Sequence, residues 1–181
     1  MLIKMMQSSI KSIGMYSVFL PIVFFSIVNL SCLNPFAPRL DTEPSSQICS
    51  DLTVLENVFC TFRQSYTFKD TTMYSSILAD NFVFTYRDYD LGVDVTWGRA
   101  DDMHTTYGLF ENVESLDLIW NNIISESGDD TTHTIVRGFN LTVTFNPSEI
   151  NTVNGYANLS FARASTKDPW KITYWRDESN Y

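Results

Sequence analysis

The sequence is short of the residues that most often mark chemistry. Histidine occurs 2 times and cysteine 3 times in 181 residues, and the two histidines, His104 and His133, lie 29 apart in sequence with no Cys pair beside them, which argues against a metal centre. Glycine-rich phosphate loops, a Gly-x-Ser-x-Gly elbow and a Cys-x-x-Cys pair are all missing. Nucleotide, acyl-transfer and redox functions lose their usual support, and the expectation is a domain with no cofactor and no metal. Positive charge is scarce too. Lys and Arg number 12 against 21 Asp and Glu, for a formal net charge of -9, and the cations stand singly from Arg39 to Arg176. Binding to a phosphate backbone depends on clustered cations, so nucleic acid is excluded as a partner.

Apolar and aromatic residues, by contrast, are plentiful. The hydrophobic share is 44% and the aromatic share 14%, enough to build a core and to exclude global disorder. The length suits one domain plus a leader.

The leader is read from residues 1–31. Lys4 and Lys11 give a positive start, the run from Ile13 to Val28 is apolar, and it stops at Asn29-Leu30-Ser31-Cys32. This ending resembles the lipobox of bacterial lipoproteins, in which a small residue, here Ser31, precedes a Cys that is lipidated and becomes the mature N-terminus. The resemblance implies a membrane anchor through Cys32. With Leu33 rather than Asp after that Cys, it also implies a cell-envelope protein held at the outer membrane and facing the periplasm. An uncleaved signal anchor and an ordinary cleaved secretory signal are the alternatives, and all three place the domain outside the cytoplasm. Residues 32–49, with three prolines between Cys32 and Gln47, read as a flexible tether, and 50–181 as the folded domain.

If Cys32 is acylated, Cys49 and Cys60 remain as a pair. On one helix they would lie about 16 Å apart, beyond the roughly 7 Å Cα limit of a disulfide. A bond therefore needs Cys49 to fold back from a segment before the helix; otherwise Cys60 is a small apolar filler beside Phe59.

Along the domain, Leu52, Leu55, Phe59, Phe62 and Tyr66 recur at helical spacing, so a helix capped by Ser50 or Asp51 is predicted to run to about Tyr66. Asp70 caps a second helix, over 71–78. Phe82, Phe84 and Tyr86 alternate as a strand does, and a turn follows at Asp88–Gly92. Val93–Trp97 reads as a short strand. A third helix starts at Gly98, with Met103, Tyr107 and Phe110 as its inner stripe and Asp101 and Asp102 favourably placed in its first turn. The rest is strand: 116–121, then 133–145 with His133, Ile135, Arg137 and Phe139 on one face, then 156–164 and 170–177.

This order, with Trp97-Gly-Arg-Ala before the third helix and Trp170-Lys-Ile-Thr-Tyr-Trp-Arg-Asp in the closing strand, resembles the nuclear transport factor 2-like superfamily of cystatin-like α+β cones. The resemblance implies an α+β fold, with a curved antiparallel sheet forming a cone-shaped barrel around a long N-terminal helix and two shorter helices beside it. It also implies a pocket between sheet and helices. That family holds isomerases, dehydratases and cyclases with an Asp, His or Tyr acid or base in the pocket, and many members with no known activity. Tyr86, His104, His133, Arg137 and Tyr174 are the candidate pocket residues here, and none falls on a catalytic motif. The leading expectation is a non-enzymatic envelope domain that takes a small apolar ligand, or a protein partner such as a second copy through the sheet. The alternative is an isomerase- or lyase-like enzyme using Asp88, His104 or His133 as general base.

Overall fold

The computed structural model describes residues 49–180, so the leader and the tether before Cys49 lie outside the described residues. Among those described, three helices and six strands run in the order α1 (Leu55–Phe68), α2 (Thr71–Ile77), β1 (Leu78–Asp88), β2 (Val93–Gly98), α3 (Arg99–Asn112), β3 (Ser115–Gly128), β4 (Thr132–Asn146), β5 (Glu149–Ala162) and β6 (Lys171–Asn180). No helix among them is long and apolar enough to cross a membrane.

The strands form one α+β sheet in the order β2-β1-β6-β5-β4-β3. Neighbours from β3 to β6 pair antiparallel, as do β1 and β2. The wholly antiparallel sheet expected from the sequence needs correction, because β1 and β6 pair in parallel. They lie at opposite ends of the domain's sequence, and the long connection between them allows a parallel crossover that a tight hairpin forbids. The barrel needs correction as well. β2 and β3 are the sheet's two edges, so the sheet curves without closing.

Helix α1 docks in the hollow of this sheet. Phe59 and Phe62, three apart and both 2% exposed, meet the Trp120 ring edge-on at 5.1 and 5.5 Å, and Trp120 donates its indole N–H to the Phe59 carbonyl at 3.0 Å. Phe161 of β5 and Trp175 of β6 lie against the same two rings. Burying each such side chain contributes about 1.5–3 kcal/mol. At 14 residues α1 is no longer than α3, which corrects the picture of one long helix with two shorter ones. Asp51 does not cap α1 directly. It accepts from the Thr53 N–H in a turn that precedes the helix, whereas Asp70 caps α2 as predicted by accepting from the N–H groups of Thr72 and Met73.

Cys49 and Cys60 are joined by a disulfide, with 5.7 Å between their Cα atoms. Cys49 precedes α1 and folds back over it, and the Thr61 hydroxyl donates to its carbonyl at 3.0 Å. Cys60 is thus one half of a crosslink rather than a lone apolar filler, and the folded domain includes Cys49.

Candidate active site

A cavity of about 420 Å³ opens between the hollow of the sheet and the helices α1 and α3. Every strand contributes to its wall. Phe62 and Tyr66 come from α1, Phe84 and Tyr86 from β1, Trp97 from β2, Trp120 from β3, Phe139 from β4 and Trp175 from β6. Phe84 stacks on Trp97 at 4.6 Å, and Trp175 meets Phe84 edge-on at 4.9 Å.

Two carboxylates interrupt this apolar wall, Asp102 of α3 and Asp177 of β6. Asp102 is 4% exposed. Its Oδ2 accepts from the Tyr74 hydroxyl at 2.8 Å and its Oδ1 from the Trp97 indole N–H at 3.1 Å. Burial pushes the Asp102 carboxyl above its ordinary value, and the two donated hydrogen bonds pull part of the way back. Tyr74, fully buried and pushed up mainly by the same desolvation, keeps its proton and holds it against Asp102. Asp177 sits directly beside Tyr86 across the parallel β1–β6 pair and accepts from both the N–H and the hydroxyl of Ser179. The buried Trp175 indole N–H has no hydrogen-bond partner among the described residues.

The structure gathers few of the sequence-derived candidates here. Tyr86 lines the cavity, 5.6 Å from Trp97. His104 is exposed on α3 and lines no part of it. His133 lies in a separate small cleft, its ring 6.3 Å from that of Trp170. Arg137 does point into the hollow, but its charge is satisfied there: the guanidinium pairs with Glu56 at 2.8 Å, donates to the Asn121 carbonyl and lies 4.7 Å above the Phe59 ring. Asp88 forms a turn, accepting from the Leu91 N–H through its side chain and from Gly92 through its carbonyl.

Tyr174 is displaced by a bulge. Phe161 pairs with Ile172 and Ser160 with Tyr174, so Thr173 is an extra residue in β6, and strand parity flips there. Trp175 and Asp177 consequently face the cavity, and Tyr174 does not line it.

Sequence reasoning missed Asp102 for a related reason. Read with Met103, Tyr107 and Phe110 inward, α3 is rotated by one residue. Its buried positions are Asp102, Thr106 and Phe110, and Tyr107 is 53% exposed. The spacing Asp102-x-x-x-Thr106-x-x-x-Phe110 was a legible helical stripe, but two of its three members are polar. Among the described residues, no group of three or more His, Cys, Asp or Glu side chains could hold a metal ion.

No protein-family model and no curated protein sequence matches the chain. Solved structures do. A conserved protein from Planctomyces limnophilus is similar at 13% identity with a TM-score of 0.61, over 70% of this chain and 93% of that one. A candidate dehydratase of the NTF2-like family from Streptomyces avermitilis matches at 16% identity and TM-score 0.54, over 67% and 91%. A candidate scytalone dehydratase from Novosphingobium aromaticivorans matches at 11% and 0.57, over 70% and 82%. With its curved six-stranded sheet, its three helices and these likenesses, the domain has the nuclear transport factor 2-like fold.

Proposed function

We propose that this domain takes up a small, largely apolar ligand in the cavity between sheet and helices, and that Cys32 tethers it to a membrane on the far side from the cytoplasm. The observation that carries the first part is the aromatic-walled space of about 420 Å³, of a size to hold one small molecule, which the side chains of the described residues leave unfilled. The tether rests on the leader sequence alone.

Filling the space is the direct test. Leu109 is a half-buried wall residue of α3, and Leu109→Trp should abolish uptake of an apolar fluorescent probe while leaving near-ultraviolet circular dichroism intact. Unchanged uptake in a folded variant would place the probe elsewhere and refute the cavity as the binding site.

A second reading is favoured by Asp102. A buried carboxyl with a raised pKa, oriented by Tyr74 and Trp97 at a cavity wall, is suited to exchange a proton with a bound molecule, as isomerases and dehydratases require. The two candidate dehydratases among the similar structures lend this reading weight. On it, Asp102→Asn removes turnover and keeps probe uptake. Turnover that survives the substitution would rule Asp102 out as the acid or base.

A further inference from the structure

A second, polar cleft of about 760 Å³ lies on the other face of the sheet from the aromatic cavity. Phe139, Leu141 and Val153 line the cavity, so by strand alternation Asn140 and Asn154 point the opposite way. These two are cross-strand partners, and Gly138 pairs with Tyr156 one step along the same face. In β3 the pairing register shifts after Trp120, and the irregularity brings Asn121 and Asn122 to the same cleft. Gly138 keeps the floor open, since a Cβ there would stand 3.2 Å from the Asn121 Cβ and 3.8 Å from the Tyr156 ring. All four asparagines are exposed, as is Tyr156 at 47%. Among the described residues, none of the four carboxamides is hydrogen-bonded to the protein. Arg137 is the one charged residue of the lining, and its guanidinium is already paired with Glu56.

We propose that this cleft binds a neutral saccharide. The site is separate from the cavity and stands whether or not the cavity takes a ligand. Each sugar hydroxyl both donates and accepts a hydrogen bond. A carboxamide offers an acceptor oxygen and a donor nitrogen in one plane, so it can meet two neighbouring hydroxyls at once. Asn140 and Asn154, as cross-strand partners, stand about 5 Å apart. Tyr156 follows Asn154 on the same face, about 7 Å along the strand. A sugar ring laid on Tyr156 therefore has its hydroxyls within reach of both amides, with its C–H face against the electron-rich face of the phenol ring. Asn121 and Asn122 supply two further amides from β3. Other ligands fit less well. An anion finds no unpaired cation in the lining, and an apolar molecule strips water from the amides without replacing its hydrogen bonds.

The full chain, purified in a detergent without a sugar head group, is titrated by calorimetry with maltotriose, cellotriose and triacetylchitotriose, and with trigalacturonate as an anionic counterpart. At least one of the three neutral sugars is expected to bind, and trigalacturonate to bind more weakly than it. Tyr156→Ala and Asn140→Ala, both at exposed positions, should each weaken that binding about tenfold with the melting temperature unmoved. Leu109→Trp, which fills the cavity on the other face, should leave it unchanged. No binding of any neutral sugar overturns the inference. So does binding that both folded surface variants retain in full, or that Leu109→Trp abolishes, because the sugar then sits elsewhere. Trigalacturonate that binds more tightly than all three neutral sugars overturns the neutral character of the ligand and the inference with it. Uptake of the apolar probe is measured separately, so failure here leaves the cavity reading standing.

Discussion

Asp102 sits in a position that is unfavourable for its own charge. Its folded pKa is raised by burial, so between the ordinary carboxyl range and that raised value the native state holds a proton that the unfolded chain has released. Stability is therefore present at low pH and lost as pH rises through the folded pKa. Asp102→Asn removes that dependence. The difference in melting temperature, variant minus wild type, should grow more positive as pH rises from about 4 to neutrality, even though the amide cannot accept from Tyr74 and Trp97 with both of its heavy atoms. A difference that stays flat with pH would mean that Asp102 titrates normally and is no candidate acid or base.

The same residue marks the limit of what could be read from the sequence. Phe82, Phe84 and Tyr86 in β1 and Leu116, Leu118 and Trp120 in β3 showed their inward faces because apolar side chains alternated with polar ones. The cavity's acidic members broke that rule. A buried Asp held by two donors looks, in one dimension, like a solvated residue of a first helical turn.

At the scale of elements, two irregularities shape the site. One is the Thr173 bulge, which turns Trp175 and Asp177 inward and which no alternation of residues could show, since it depends on the pairing partner. The other is Gly155. A Cβ there would fall 2.3 Å from the Ser179 Cα and 2.6 Å from the Glu178 carbonyl oxygen, so β5 approaches β6 too closely for any side chain. Gly155→Ala should push the end of β6 away, lowering the melting temperature and weakening ligand uptake together, because Asp177 is anchored through Ser179. Loss of stability with uptake unaltered would show that the end of β6 does not position Asp177. The turn from β3 to β4 makes the opposite pH statement to Asp102. The Asp129 carboxyl is held down at about 2, chiefly by the N–H groups of Thr131 and Thr132. Its contribution is present above the ordinary carboxyl range and fades as pH falls through about 2. Asp129→Ala should therefore lower the melting temperature at neutral pH and lose that effect in strong acid. An equal loss at both ends would assign the effect to something other than these hydrogen bonds.

At the scale of the whole molecule, the disulfide and the leader bear on one another. Of 3 cysteines, Cys49 and Cys60 are bonded, which leaves Cys32 as the odd one at the end of the apolar leader. Disulfides persist in oxidising compartments and are rare in the cytosol, so the crosslink agrees with export on grounds independent of the leader's own pattern. Closing a loop across 11 residues stabilises by about 3 kcal/mol in the chain-entropy account. Under the export proposed above, protein made in the cytoplasm without residues 1–31 should accordingly melt lower than protein made from the full chain through the export route, and a thiol reductant should bring the latter down to the same temperature. Cys32→Ala, in contrast, should leave the melting temperature alone and release the protein from membranes. Should Cys32→Ala stay membrane-bound with its leader attached, the uncleaved anchor would replace the lipid. Should reduction leave the melting temperature where it was, the crosslink would not stabilise the fold, and the argument for export would rest on the leader alone.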